Sequence, residues 1–390
     1  MPSGRALIAS TPPDVHSPLP LLLMDAPSAS APSIDTVRSR IRSGVRNEHP
    51  YLVGAPPKTE VKLNQNESPY DLPPALKAEL METLRNTAFN RYPAEQPWDL
   101  AAALAEHNDV EPEQVLVGNG SNELTYLFGL TFIEPGTPVV LPAPMFSLYE
   151  KVARLYHADL TTIPPRKDLH FDIDALVEAI TATEAAMTVL TTPNNPTGLA
   201  LPPSTIERVL QATPGLVVVD EAYVEFNDYP AATELLDTYP NLVILRTLSK
   251  AFGLAGLRLG YLMAHPELVT EFMKARLPFM VDRFSEAVGH AVLNRPDVLQ
   301  ERVDQMQESC EELTEALQAR PDVDVVPSSA NFVLFAPRSA DSDAVQEALA
   351  ERGVLIRNMG GYESLGGYLR VCAGTASENK AFLDALNAVL

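Results

Sequence analysis

Short apolar runs alternate with amphipathic stretches along most of this chain. Val115–Val117, Pro138–Leu141, Met187–Thr191, Leu216–Val219 and Val243–Leu245 are apolar at nearly every position, and Leu257–Ala264 reads as a further strand. Between and before them lie segments with apolar residues at helical spacing: Pro74–Arg85, Leu100–Asn108, Ser121–Ile133 with Ser121 as N-cap, and Ser204–Ala212. Strands that show no polar alternation are covered on both faces. The pattern therefore predicts an α/β fold with a mostly parallel sheet sandwiched by helices.

After about residue 265 the balance shifts to helices, at Glu267–Ala275, Pro296–Ala319, Asp343–Arg352 and Glu378–Val389. Three strands are expected among them, at Ala330–Phe335, Val354–Arg357 and Tyr368–Cys372. This reads as a smaller α+β domain. The expected division is a mobile Pro/Ala/Ser-rich tail over residues 1–33, an arm over 34–65 joining the small domain or a subunit interface, a large domain over 66–290 and a small C-terminal domain over 291–390. Within the arm, Ile34, Val37 and Ile41 suggest a helix over Ser33–Arg46.

The net charge of −22 over 390 residues argues against nucleic acid or an anionic membrane as partner, because phosphate neutralisation supplies most of such binding. Cys310 and Cys372 are too few for a disulfide scaffold, which suits a reducing, cytoplasmic setting. The longest early apolar run, Leu19–Met24, is short and contains proline, so the start reads as a tail and no segment as a membrane span.

Three predicted strands end in polar clusters. Thr192-Pro-Asn-Asn-Pro-Thr-Gly198 follows the first, Asp220-Glu-Ala-Tyr223 the second, and Thr247-Leu-Ser-Lys250 the third, running on through a glycine-bearing segment to Arg258. Ligands of open parallel sheets bind beyond the carboxyl ends of the strands, so the three clusters should face one crevice. Lysine is the minority cation here, 8 against 21 arginines, so Lys250 is not a default surface choice. A lysine in a dry pocket forms Schiff bases readily because desolvation lowers its pKa. Asp220, placed after four apolar residues, needs a cation or a donor, and a protonated pyridine nitrogen supplies one. Pyridoxal phosphate asks for such a set: a lysine for its aldehyde, an acid for its ring nitrogen, donors for its ring oxygen and a cradle for its phosphate. Asn195 and Tyr223 suit the ring oxygen, and Thr247, Ser249 and Arg258 the phosphate. Gly118-Asn-Gly-Ser121-Asn122-Glu123 opens a helix and offers free N–H groups to the same anion. Phe146 can lie flat on an aromatic ring.

Each piece alone has an ordinary reading as a turn, a cap, a core residue or a surface ion pair. Their order changes the weighing. Asn195, Asp220 and Lys250 stand 25 and 30 residues apart, each after an apolar strand. No HExxH and no GxSxG occurs, which counts against a metal hydrolase or a serine hydrolase.

Asn195-Pro-Thr-Gly, Asp220-x-x-Tyr223 and Ser249-Lys250 with Arg258 resemble the signature of fold-type I (class I/II) PLP-dependent aminotransferases. Leu63-Asn-Gln-Asn66-Glu-Ser68-Pro, Asn90-Arg-Tyr92-Pro, Val117-Gly-Asn-Gly-Ser-Asn-Glu123, Val219-Asp-Glu-Ala-Tyr-Val-Glu-Phe226, Arg246–Arg258 and Tyr368-Leu-Arg370 resemble, in order, segments of the histidinol-phosphate subfamily. The resemblance covers roughly residues 35 to 390. It implies Lys250 as the lysine joined to pyridoxal phosphate and the proton shuttle, Asp220 on the pyridine nitrogen, and Asn195 and Tyr223 on the ring oxygen. Ser249, Thr247, Arg258, Ser121 and Asn122 would grip the phosphate, and Phe146 would cover the ring. It further implies a homodimer in which Tyr92 reaches the neighbouring subunit's cofactor. Arg370, Arg357, Asn66 and Ser68 would line the substrate side. The implied reaction is transamination between an amino donor, histidinol phosphate, and 2-oxoglutarate, in histidine biosynthesis. An aromatic amino-acid aminotransferase, a threonine-phosphate decarboxylase-like lyase and a silent binding protein of the same fold are the alternatives. Three departures lie on the substrate side or near it: Phe146 and Ser68 stand where the family often has tyrosine, and Pro278-Phe-Met-Val-Asp282 matches only loosely.

Overall fold

The structure is a computed structural model that describes residues 33–50 and 59–390. The chain divides into two compact units, 1–46 and 47–390. The expected tail lies outside the described residues as far as position 32. In the first unit the expected single helix is two short ones, Ile34–Ser39 and Ser43–Arg46. Ser33 caps the first by accepting from Thr36 N–H at 3.2 Å, and the Ser39 hydroxyl turns back to Thr36 O at 2.8 Å, a side-chain bond that competes with continuing the helix.

Among the described residues the second unit has thirteen strands: β1 (Val61–Lys62), β2 (Val115–Gly118), β3 (Pro138–Pro142), β4 (Asp159–Ile163), β5 (Met187–Thr191), β6 (Leu216–Asp220), β7 (Leu242–Thr247), β8 (Gly260–Ala264), β9 (Val323–Val326), β10 (Phe332–Pro337), β11 (Val354–Leu355), β12 (Arg357–Asn358) and β13 (Leu369–Cys372). Seven form one sheet in the order β2-β8-β7-β6-β5-β3-β4. All run parallel except β8, which is antiparallel to both of its neighbours. Every residue of β5, β6, β7 and β8 is buried, as unbroken apolar runs require of strands covered on both faces. A second sheet, ordered β12-β13-β10-β9, is antiparallel, and β1 pairs with β11 alone. Among the described residues no helix is long and apolar enough to cross a membrane.

Several elements differ from expectation for identifiable reasons. Gly120, at φ 82°, is the N-cap of the helix Ser121–Phe132, so Ser121 is its first residue instead of its cap. The strand expected from Leu257 begins only at Gly260, because a 3-10 turn at Ala255–Leu257 and a left-handed Arg258 (φ 54°) precede it. The strand expected over Val354–Arg357 splits at buried Ile356: β11 pairs with β1, and β12 crosses to β13. Edge strand β4, Asp-Leu-Thr-Thr-Ile, lacked an apolar run because its residues are mostly half-exposed. Helices Leu148–Leu155, Ile173–Thr183 and Arg283–Leu293 also went unforeseen.

Behind the carboxyl ends of β6 and β7 the core holds a charged pair. Arg246 donates to Glu221 Oε2 from Nε at 2.9 Å and Nη2 at 2.7 Å, and its Nη1 meets Asn108. Glu221 also accepts from Ala232 N–H at 2.7 Å. With both side chains buried, the pair is tolerable only because nearly every polar atom is matched. Glu221→Ala should therefore lower stability by about 3–5 kcal/mol by stranding the guanidinium. Glu221→Leu with Arg246→Met should cost clearly less, as read from urea midpoints of the two variants.

Candidate active site

The parallel strands β2, β3, β5, β6 and β7 all end on one edge of the seven-stranded sheet, and β8, running the other way, begins there. That edge carries Gly118, Pro142, Thr191, Asp220 and Thr247, with Arg258 just ahead of β8. The three polar clusters therefore meet, as the strand-end rule demands.

Asp220, the last residue of β6, is buried. Its Oδ2 accepts from the Tyr149 hydroxyl at 2.7 Å and its Oδ1 from Ala222 N–H at 3.1 Å. Among the described residues no cation forms an ion pair with it. Burial pushes its pKa up to about 6 against the pull of those two donors. Tyr149 was not legible beforehand. A tyrosine three residues after Phe146 on a helix looks like core, and only the fold turns its hydroxyl onto Asp220.

Lys250 stands in the turn after β7. Its Nζ donates to Gln65 O at 2.8 Å and lies 5.8 Å from the centre of the Tyr223 ring. Burial pulls its pKa down to about 8, and the Arg370 charge adds to the effect. The Tyr223 hydroxyl accepts from Asn66 Nδ2 at 2.9 Å, and its own pKa is pushed up to about 12 by burial. Asn66 sits at φ 53° in the segment after β1, with its Oδ1 buried and without a partner among the described residues. The motif of this segment is visible in the sequence, but the contact of Gln65 and Asn66 with Lys250 and Tyr223 is tertiary.

A cradle lies beside them. The N–H of Glu123 bonds to Gly120 O at 3.1 Å, while among the described residues no acceptor meets the N–H of Ser121 or Asn122. Arg258 Nη1 lies 3.5 Å from Ser249 Oγ and 3.1 Å from Ala255 O. A Cβ at Gly120 would collide with the Arg258 guanidinium, and one at Gly260 with the backbone nitrogen of Ser121. Glycine at both places lets Arg258 and β8 close onto the helix start. Ser121, Asn122, Ser249 and Arg258 are thus brought together. Thr247 is buried beside them, its hydroxyl accepting from Ser249 N–H at 3.1 Å and donating to Leu259 O at 3.3 Å, so it also braces the turn.

On the opposite side, β12 and β13 place Arg357 directly across from Arg370. Paired residues of an antiparallel ladder share a face, so two arginines stand side by side. Arg370 is buried, packs 5.1 Å over the Phe332 ring, donates to Asn64 O at 3.1 Å and meets Asn195 Oδ1. Among the described residues its Nε has no partner, and burial lowers its pKa, with Arg357 adding to that shift. Phe146 is half-buried against the main core, and Ser68 Oγ bonds to Tyr70 O at 3.2 Å. Tyr92 is exposed, with its ring stacked on Phe279 at 5.0 Å.

Buried Asp220, the covered lysine amine, the open helix start and the paired arginines thus stand around one end of the sheet, an arrangement whose chemistry suits an anion, a cationic ring atom and a carbonyl. Residues 58–386 match the family described as aminotransferase class I and II. Histidinol-phosphate aminotransferase of Chlorobaculum tepidum is 40% identical over 336 residues, 86% of this chain and 96% of that protein. The crystal structure of histidinol-phosphate aminotransferase from Sinorhizobium meliloti in complex with pyridoxal-5'-phosphate is similar at TM-score 0.81 and 26% identity, covering 90% of this chain and 97% of that one. L-threonine-O-3-phosphate decarboxylase from Porphyromonas gingivalis is similar at TM-score 0.74 and 25% identity, over 84% and 98% of the two chains. With strand-end chemistry, fold and sequence in agreement over most of its length, the chain belongs to the class I and II aminotransferases.

Proposed function

We propose that this chain transfers the amino group of L-histidinol phosphate to 2-oxoglutarate with pyridoxal phosphate as cofactor, as a cytoplasmic homodimer. The observation that carries the reading is the pairing of a buried, cation-free carboxyl at Asp220 with a desolvated amine at Lys250 on one sheet edge. The residues fit the cofactor. Asp220 lacks the cation that a protonated pyridine nitrogen provides, Asn66 Oδ1 and Arg370 Nε are buried without partners, and two helix-start N–H groups await an anion.

When bound, the cofactor supplies an aldehyde for an amine and a ring that withdraws electrons from the adjacent carbon. Lys250 is the residue that would hold the aldehyde. Burial lowers its pKa to about 8, so near neutral pH enough of it is the neutral amine that would take the proton from the donor carbon bearing nitrogen. Asp220, with its orientation set by Tyr149 and Ala222, keeps the ring nitrogen protonated. Tyr223 and Asn195 would bond the ring oxygen, with Asn66 fixing the tyrosine hydroxyl. Ser249, Thr247, Arg258, Ser121 and Asn122 would grip the phosphate, and Phe146 would cover the ring. Arg370 takes the carboxylate of 2-oxoglutarate and Arg357 an anionic group further out, since planar guanidinium forks suit both carboxylate and phosphate. Ser68 lines the substrate side. Exposed Tyr92 reaches the partner subunit's cofactor phosphate.

A panel of amino donors with 2-oxoglutarate should show L-histidinol phosphate ahead of phenylalanine and tyrosine. Carbon dioxide release from threonine phosphate would move the chain to the decarboxylase reading. Lys250→Ala should lose the visible absorption of the loaded protein and about a thousandfold or more of turnover.

The Asp220 carboxyl generates a pH signature in the cofactor-free protein. Its folded pKa of about 6 lies above the ordinary 3.8, so the folded state keeps a proton that the unfolded chain has released. This contribution to stability is complete below pH 3.8 and is lost as pH rises through about 6, a difference of about 3 kcal/mol. Asp220→Asn should therefore be close to the parent at pH 4 and more stable than it at pH 7, by urea unfolding without cofactor.

A further inference from the structure

The turn that opens the helix Ser121–Phe132 is held from below by three side chains to which the reading above gives no role. Arg276, the residue after the helix Pro266–Ala275, is buried. Its Nη1 donates to Val117 O at 2.8 Å and to Gln96 Oε1 at 2.7 Å. Gln96, wholly buried, donates in turn from Nε2 to Val115 O at 3.2 Å. Arg276 and Gln96 thus grip the two carbonyls that point the same way along β2, immediately before the turn. From the other side, Glu123 folds back over Gly118, and its Oε2 accepts from Asn119 N–H at 3.3 Å. A Cβ at Gly118 would press into that carboxylate, so glycine is what allows the approach.

Arg276 forms no ion pair with Glu123 or any other carboxylate among the described residues, and its Nη2 is buried without a partner. The two charges nevertheless act on each other: Glu123 opposes the lowering of the Arg276 pKa by burial, and Arg276 opposes the raising of the Glu123 pKa by burial. A buried guanidinium without an ion pair is costly to retain for packing alone. Here it places a positive charge and two oriented donors behind a helix start whose forward N–H groups are free.

We propose that Arg276, Gln96 and Glu123 are positioning residues that clamp the turn Gly118–Ser121 into the conformation that receives the cofactor phosphate. Arg276 and Gln96 set the exit of β2, and Glu123 fixes the Asn119 amide, so that the amides of Ser121 and Asn122 meet the anion without rearrangement. None of the three touches the cofactor. Their effect is on phosphate recognition and leaves the aldehyde chemistry at Lys250 alone. This inference rests on the proposed cofactor.

The test is a binding titration of the cofactor-free, full-length protein with pyridoxal 5'-phosphate and, separately, with pyridoxal, which lacks the phosphate. Arg276→Met should weaken pyridoxal 5'-phosphate binding by about tenfold or more and pyridoxal binding by less than about twofold, as expected for loss of charge-assisted positioning. Arg276→Lys, which keeps the charge and one donor but lacks the fork, should fall between. Glu123→Gln, nearly isosteric, should show the same phosphate-selective loss at smaller size, and it carries the test if Arg276→Met fails to fold. Equal losses for both ligands, or an unchanged preference for the phosphorylated one in every folded variant, would overturn the clamp while leaving the cofactor assignment intact. A parent protein that binds neither ligand would remove both.

Discussion

A carboxylate at the end of a buried central strand is the constraint on which the rest of this protein turns. Asp220 closes a strand with all five residues buried, in a sheet covered on both faces. Among the described residues it receives two hydrogen bonds and pairs with no cation, and burial drives its pKa upward. A domain built only for stability would place an apolar residue there. Keeping the acid makes sense when something that enters the crevice completes it, and the surrounding groups form what such a ligand would need: an amine, an anion cradle and a pair of arginines.

The seven-stranded sheet alone does not make the site. It supplies Asp220, the Lys250 turn and the helix start, all on one edge because parallel strands must finish there. The antiparallel four-stranded sheet supplies Arg357 and Arg370, opposed by ladder register. The segment after β1 threads between, with Gln65 O on the lysine amine, Asn64 O on Arg370 and Asn66 on Tyr223. The paired arginines and the groups around Lys250 and Asp220 thus belong to different sheets.

Behind the working surface lies a second tier of buried charge. Glu221 and Arg246 tie the ends of neighbouring strands together directly after Asp220 and before Lys250. Arg276, Gln96 and Glu123 do the same for the turn beyond β2. Both groups are hydrogen-bonded to backbone or to amide side chains as well as exerting charge, and this makes buried ions tolerable.

Much of this could be read before any fold was known. Continuous apolar runs identified β5, β6 and β7 because strands buried on both faces tolerate little else, and the polar residues just past each run marked Asn195, Asp220 and Lys250. Half-exposed β4 and the amphipathic helix Leu148–Leu155 gave no such signal, and with that helix went Tyr149. Arg276 and Gln96 sit in no local pattern of their own, since burial of a polar side chain is decided by what folds over it. Residue order alone determined the strand-end chemistry, because local hydrophobicity dictates which strands are central and which side chains follow them. The partners of those side chains, 71 residues away for Tyr149 and Asp220 and 185 for Lys250 and Gln65, came only with the tertiary structure, because contacts at such separation depend on sheet order and crossover and carry no local pattern.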